Sequence, residues 1–206
     1  MDENISSPLK KRCAAQVGPG RAYGTGHART APMPTLSPQV DLPSADCSEP
    51  GPPVTVVRLF SCPVHVYVGH FGRAPGGDPM RESTTMDLVA GRGIAGDRYF
   101  DYPRGHKGQV TLFAEEAWER LCAEFGRSDL GPGVFRRNLI TRGADLPSLV
   151  GREFGIQGVR FIGSEYCKPC AWMDSAFAPG AFEALSEWRA GGLRARVLCD
   201  GLIRTA

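Results

Sequence analysis

The chain has 206 residues, with 24 basic and 22 acidic side chains and a formal charge of +2. That near balance excludes a general field for nucleic acid or an anionic membrane, so any anion site must be local. No run approaches the roughly 20 apolar residues of a membrane span and the N-terminus lacks the apolar core of a secretory signal, so no membrane partner and a cytoplasmic location are expected.

Residues 1–53 carry Pro32, Pro34, Pro38, Pro43, Pro50, Pro52 and Pro53 among Gly, Ser and Ala, with scarcely any hydrophobic periodicity. Such a segment buries too little apolar surface to offset its ordering entropy, so a disordered extension is expected, followed by one domain over residues 54–206. From Val54 the runs Val54–Phe60 and Val64–Val68 are rich in β-branched residues and read as strands interrupted by Cys62-Pro63. After a glycine-rich loop containing His70, Met86–Ala90 is another strand. Gly91, Gly93 and Gly96 match a dinucleotide-binding spacing, but Asp97-Arg98-Tyr99 and a Pro/Gly turn follow where a helix is required, so that reading is set aside.

Gln109–Phe113 alternates as a strand. Ala114, Ala117, Trp118, Leu121, Cys122 and Phe125 then recur at helical spacing, and Gly126 stops the helix. After Gly131-Pro-Gly133, Val134–Thr141 reads as a strand, and its alternation places Arg136 and Asn138 on one face and Arg137 on the other. Arg137 itself reads equally well as a solvated surface arginine. Arg152–Ile156, with Gly155 as a bulge candidate, and Val159–Ile162 give two more strands. Pro179 and Gly180 open a helix with Ala181, Leu185 and Trp188 on one stripe. Leu193–Leu198, an Asp200-Gly201 turn and Leu202-Ile203 suggest a closing hairpin. Many short strands with two helices predict a mainly β fold with some α, a closed barrel with a few flanking helices.

The chemistry gathers in Arg160-Phe-Ile-Gly-Ser-Glu-Tyr-Cys-Lys-Pro-Cys-Ala-Trp-Met-Asp174. A thiolate is a soft metal ligand and a strong nucleophile, and Lys168 between Cys167 and Cys170 places positive charge beside both sulfurs. Pro169 forbids ladder pairing at its own nitrogen, which puts the cysteines on a rim where a strand breaks open. Seven cysteines, an odd count in a chain of this size, favour reduced thiols over a disulfide framework. The Cys167–Cys170 pair alone is half of a zinc site, which His65, His70, His106 or Cys62 would have to complete. A thioredoxin-like role requires a helix directly after the pair, and the run from Trp172 to Pro179 gives no strong helical start.

Gly93-Ile-Ala-Gly-Asp-Arg98, Gly108-Gln-Val-Thr-Leu112, Phe135-Arg-Arg-Asn-Leu-Ile-Thr-Arg-Gly143 and Leu149-Val-Gly-Arg152, followed by Cys-x-x-Cys, resemble the MOSC family, named for the C-terminal domain of molybdenum cofactor sulfurases. The resemblance runs from about Val54 to the end of the chain and looks most like the small stand-alone bacterial members. It implies the molybdenum cofactor (molybdopterin) as ligand, no pyridoxal phosphate site, and one reactive cysteine that ligates the metal or carries sulfane sulfur, matching Cys170; Cys167 is a further catalytic candidate from the residues alone, as a thiol placed to resolve a persulfide on Cys170. It further implies that Arg136 and Asn138 contact the pterin phosphate, as in the related amidoxime-reducing proteins. Lys107-Gly108-Gln109 corresponds to another phosphate loop, without its Thr-Ser pair, and Lys168 stands where those relatives have serine. Arg136 supplies a bidentate donor fork suited to phosphate.

Two functions are compatible with these residues. One is a reductase of N-hydroxylated small molecules that draws electrons from a separate donor protein. The other is a persulfide carrier or cofactor-handling module served by a cysteine desulfurase, with Cys167 resolving the persulfide on Cys170.

Overall fold

A computed structural model describes residues 54–65, 79–103 and 106–206 of the chain. The expected N-terminal extension, the loop with His70 and most of the second predicted strand lie outside these residues.

Among the described residues, ten strands form two sheets. The strands are β1 (Thr55–Ser61), β2 (Arg81–Ser83), β3 (Thr85–Val89), β4 (Gly93–Ile94), β5 (Val110–Ala114), β6 (Leu139–Arg142), β7 (Glu153–Ile156), β8 (Val159–Tyr166), β9 (Leu193–Val197) and β10 (Gly201–Arg204). The larger sheet has the order β2-β1-β6-β5-β9-β8-β7, and the smaller has β10-β3-β4. Helix α1 (Glu115–Phe125) crosses between β5 and β6, which pair in parallel from Leu112↔Leu139 to Ala114↔Thr141. Two short helices, α2 (Trp172–Ala176) and α3 (Ala181–Glu187), join β8 to β9. The mainly β architecture with a few helices is as expected. The seven-stranded sheet is a curled half-barrel, since β2 and β7 at its ends have no strand partner on their outer sides among the described residues.

Two apolar clusters hold the sheet from its two faces. Leu59, Leu112, Leu139, Phe161, Leu193 and Ala195, each fully buried, fill the inside of the curl together with Leu88 and Ile203 from the small sheet. On the other face Phe113, Phe135 and Ile140 meet Trp118 and Leu121 of α1, Phe177 and Leu185. Here the rings meet edge to face, Trp118 with Phe135 and with Phe177 at centroid separations of 5.5 and 5.2 Å. Helix α1 ends at Gly126, whose φ of 62° is the left-handed cap that glycine tolerates best.

Four local expectations change. Val134–Thr141 is not one strand: Pro132–Phe135 is a 3-10 helix, Arg136 caps it at φ 58°, and only Leu139–Arg142 is extended. Gly155 makes no bulge, because β7 and β8 pair in continuous register through a turn whose residues Gln157 and Gly158 both have positive φ. The predicted closing hairpin does not form: β9 pairs with β5 and β8, whereas β10 pairs with β3 in the other sheet. Asp200 helps redirect the chain there by accepting the Ala90 N–H at 2.7 Å. Finally, a helix does begin just after Cys170, although α2 has only 5 residues.

Candidate functional site

The cysteine segment leaves the sheet at the end of β8. Opposite β9 the register shifts between Arg194↔Glu165 and Ala195↔Gly163, so Ser164 is an extra residue in β8. Such a bulge re-aims the residues that follow. Gly163 is needed at that point, because a Cβ there would lie 2.1 Å from the Leu149 carbonyl oxygen.

Main-chain contacts then fix the loop. The Cys167 N–H donates to the Gly192 carbonyl at 2.9 Å, and the Gly191 N–H donates to the Tyr166 hydroxyl at 3.0 Å. Gly191 is pressed so closely beneath the loop that a Cβ on it would lie 2.2 Å from the Cys167 carbonyl oxygen and 2.6 Å from Pro169 Cδ. Beyond the loop, the Met173 N–H donates to the Cys170 carbonyl at 2.9 Å, and Trp172 Nε1 donates to the Val134 carbonyl at 2.7 Å. Cys167 is buried and Cys170 is half-buried.

The arginine turn faces this loop. Arg136 is half-buried, with Nη2 3.9 Å from Cys62 Sγ and its guanidinium 5.9 Å from the centre of the Trp172 ring. Arg137 is not a solvated surface side chain. It donates to the Gly191 carbonyl from Nε and Nη2 at 3.3 and 3.2 Å, and to the Phe135 carbonyl from Nη1 at 3.0 Å, tying the turn to the loop.

These two segments line one cavity of about 490 Å³, together with Arg98, Arg194, Thr111, Trp172, the backbone of Gly108 and a group of aromatic side chains. Arg98, Arg136, Arg137, Lys168 and Arg194 all contribute to the wall, and no carboxylate is among the lining residues described. Cations gathered around a concave, partly buried cavity favour an anionic ligand. Arg98 is nearly buried and lies 3.7 Å from Asp97, whose carboxylate also accepts the Cys62 and Tyr99 N–H groups at 3.0 Å. Arg194 pairs with Glu165, which also accepts from Lys107 at 3.1 Å. Burial acts to lower the Arg194 pKa, but the Cys167 sulfur and the Glu165 carboxylate outweigh it and hold that pKa above its ordinary value.

Of the residues singled out in the sequence, Arg136, Cys167, Lys168, Cys170 and Gly108 therefore line one cavity. Asn138, Lys107 and Gln109 do not. Asn138 is buried beneath the turn, its Oδ1 accepting from Thr111 N and Oγ1 at 3.1 and 2.7 Å while its Nδ2 donates to the Phe60 carbonyl at 3.1 Å. The left-handed residue at 136 breaks the strand alternation that placed both side chains on one face. Gln109 is likewise buried and joins the two sheets, donating to the Gly91 carbonyl at 2.7 Å and accepting the Val197 N–H at 3.0 Å. Lys107 is exposed, outside the cavity.

Arg98 was legible only as part of the Gly93–Arg98 motif, and Arg194 only as one arginine of an alternating strand. No cluster of three or more His, Cys, Asp or Glu able to hold a metal occurs among the described residues, so the Cys167–Cys170 pair is not completed as a zinc site there.

The fold has relatives among solved structures. The YuaD protein of Bacillus subtilis superposes with a TM-score of 0.52 at 17% identity, covering 74% of this chain and 91% of that one. YiiM of Geobacillus stearothermophilus gives a TM-score of 0.53 at 13% identity, covering 74% and 71%. No curated protein matches the chain. The family model described as MOSC domain matches residues 94–205, more than half of the sequence and all of the segments that build the cavity between the Gly93–Arg98 turn and β9. The chain therefore belongs to the MOSC domain family.

Proposed function

We propose that the cavity binds the molybdenum cofactor, with Cys170 as the protein's sulfur ligand to the metal and Arg136 as the main contact to the pterin phosphate. The observation that carries this reading is that a half-buried thiol and a guanidinium from separate segments line one cationic cavity. A phosphate dianion suits a donor fork, a soft metal centre suits a sulfur, and a cavity of about 490 Å³ is of the size used for small-molecule ligands. Lys168 and Arg98 add positive charge to the same wall. Asn138 supports the turn from behind and makes no ligand contact.

The activity proposed is reduction of an N-hydroxylated compound. The substrate N–OH bond takes up two electrons and two protons, leaving N–H and water, with the electrons drawn from a separate donor protein. The bound cofactor supplies the two-electron redox chemistry. The protein's own residues anchor, orient and screen: Arg137 and the Gly191-Gly192 carbonyls hold the Cys170 loop, and Trp172 covers one side of the Arg136 turn.

A second reading is favoured by one observation, the presence of Cys167 in the same cavity next to Arg194. In it Cys170 carries a persulfide from a cysteine desulfurase. The Cys167 thiolate attacks the inner sulfur, forms the Cys167–Cys170 disulfide and releases hydrosulfide.

Expression in a host that makes the cofactor, followed by measurement of molybdenum and released pterin, tests both. The first reading expects bound molybdenum in the wild type and its loss in Cys170→Ser and Arg136→Ala. Molybdenum retained in Cys170→Ser overturns it. No molybdenum together with cyanide-labile sulfur on Cys170 establishes the second reading in its place.

A further inference from the structure

The cavity borders a part of the larger sheet that no helix covers. On β9 the alternation buries Leu193, Ala195 and Val197 in the core and turns Arg194 and Arg196 to the outer face. Arg196 pairs with Ile162 of β8, and Arg160 lies two residues before Ile162, so these side chains share that face. The helices cover its other end: Phe113 of β5 and Ile140 of β6 belong to the helix-side cluster, and no residue of β7, β8 or β9 does.

This face is basic where it meets the cavity. Arg194 lines the cavity itself, and Arg196 lies roughly 7 Å further along the strand, exposed. Lys107 and Lys168 are exposed, Lys107 next to the cavity-lining Gly108 and Lys168 in the lining. The carboxylate of Glu165 is shared between Lys107 and Arg194, so the two cations outnumber it. Exposed apolar surface adjoins the same cavity. Tyr102, 45% exposed, lines it and meets the ring of His65 at 5.6 Å, and His65 follows Val64, which is also 45% exposed.

We propose that the surface from Lys168 and Lys107 across Arg194 to Arg196 is the docking face for the electron donor, and that the donor is a small acidic carrier protein of the ferredoxin type. The inference rests on the reductase reading, in which electrons come from a separate protein. A folded protein is too large for a cavity of about 490 Å³, so it must deliver electrons from the surface that borders it. Cations along that border attract a carboxylate-rich partner and repel a basic one. Tyr102 and Val64 add the small apolar contact that a brief, dissociable complex uses. A nucleic acid fits less well, because Glu165 and the exposed Glu153, which pairs with Ile162 on the same face, interrupt the cations, and the whole chain carries a formal charge of only +2.

The test titrates an acidic plant-type ferredoxin into the purified full-length protein by calorimetry, with the basic cytochrome c and a short mixed-sequence RNA as competitors for the assignment. The wild type is expected to bind ferredoxin at low salt. Raising the salt from about 0.02 to about 0.2 M should weaken that binding roughly tenfold or more, because screening shortens the reach of the charges. Arg196→Glu and Lys107→Glu, at exposed positions where folding is not at risk, should each weaken it about three- to tenfold, whereas Arg81→Glu on the distant β2 should not. No binding of ferredoxin, equal losses in Arg196→Glu and Arg81→Glu, or tighter binding of cytochrome c or RNA overturns the proposal. Docking needs no molybdenum, so the two readings fail separately. Ferredoxin bound through Arg196 by a protein devoid of molybdenum refutes only the cofactor assignment, whereas molybdenum held through Cys170 without affinity for ferredoxin refutes only the docking face.

Discussion

Replacing Gly191 by alanine probes the clasp under the cysteine loop. The added methyl would lie 2.2 Å from the Cys167 carbonyl oxygen and 2.6 Å from Pro169 Cδ. Reaching an ordinary contact of about 3.4 Å requires the loop and the Gly191 backbone to separate by roughly 1.2 Å, which a close-packed region does not absorb freely. The separation also strains the Arg137 bonds to the Gly191 carbonyl and the Tyr166 hydroxyl contact to its N–H. Overpacking of this kind costs about 1–3 kcal/mol, which for a domain of this size lowers Tm by roughly 2–12 °C. The assay pairs calorimetric unfolding with the rate of iodoacetamide labelling at Cys170, read by peptide mass against Cys122 on α1 as an internal standard. A lower Tm with a severalfold change at Cys170 alone is expected. A variant within about 1 °C of wild type and with unaltered Cys170 labelling would show that the loop is not held by this contact.

Asn138→Ala should lower stability by about 2–4 kcal/mol in urea unfolding, because the Thr111 N–H and the Phe60 carbonyl lose partners in a buried place; a change under about 0.5 kcal/mol contradicts the supporting role given to it. His106 contributes a pH dependence. Its folded pKa is lowered, so below the ordinary histidine value of about 6.5 the unfolded chain takes up a proton that the folded chain resists, and stability falls as pH drops from there toward the folded pKa. Melting temperatures between pH 5 and 7.5 should therefore slope less in His106→Leu than in wild type, and parallel slopes refute the assignment. Deleting residues 1–50 should leave Tm and molybdenum content unchanged, and loss of folding would place the domain boundary earlier than Val54.

Some of this was written plainly in the chain. The periodicity of Ala117, Trp118 and Leu121 specified α1 and its buried face, and the β-branched and aromatic runs marked β1, β5 and β8, because burial on one side imposes a period on the residues that line it. The Cys167–Cys170 segment and Arg136 stood out as candidates because few residue types bind a soft metal or a phosphate, and the structure brings them to one cavity. The role of Asn138 was not, since the 3-10 turn and its left-handed cap at Arg136 interrupt the strand, so that no period-2 alternation relates residues 136 and 138. Nor was the separation of β9 from β10, where pairing with β3, more than 100 positions earlier, outcompetes a local turn that looked sufficient. The aromatic cluster escaped notice because Tyr99, Tyr102 and His106, all between β4 and β5, share no periodicity, and His65 joins them only from the segment that follows β1.

The unclosed curl has a cost that the chain manages at its two rims. An unpaired strand invites another polypeptide to continue the ladder, and such growth ends in aggregates. At one rim β2 is only 3 residues long, all exposed, and offers Arg81 and Glu82, the latter bound through both carboxylate oxygens by Arg58 at 2.7 and 2.8 Å. The other rim, β7, starts with the exposed charge of Glu153 and runs for just 4 residues. Brevity and charge make each of these rims, as far as the described residues go, a poor template for a further strand.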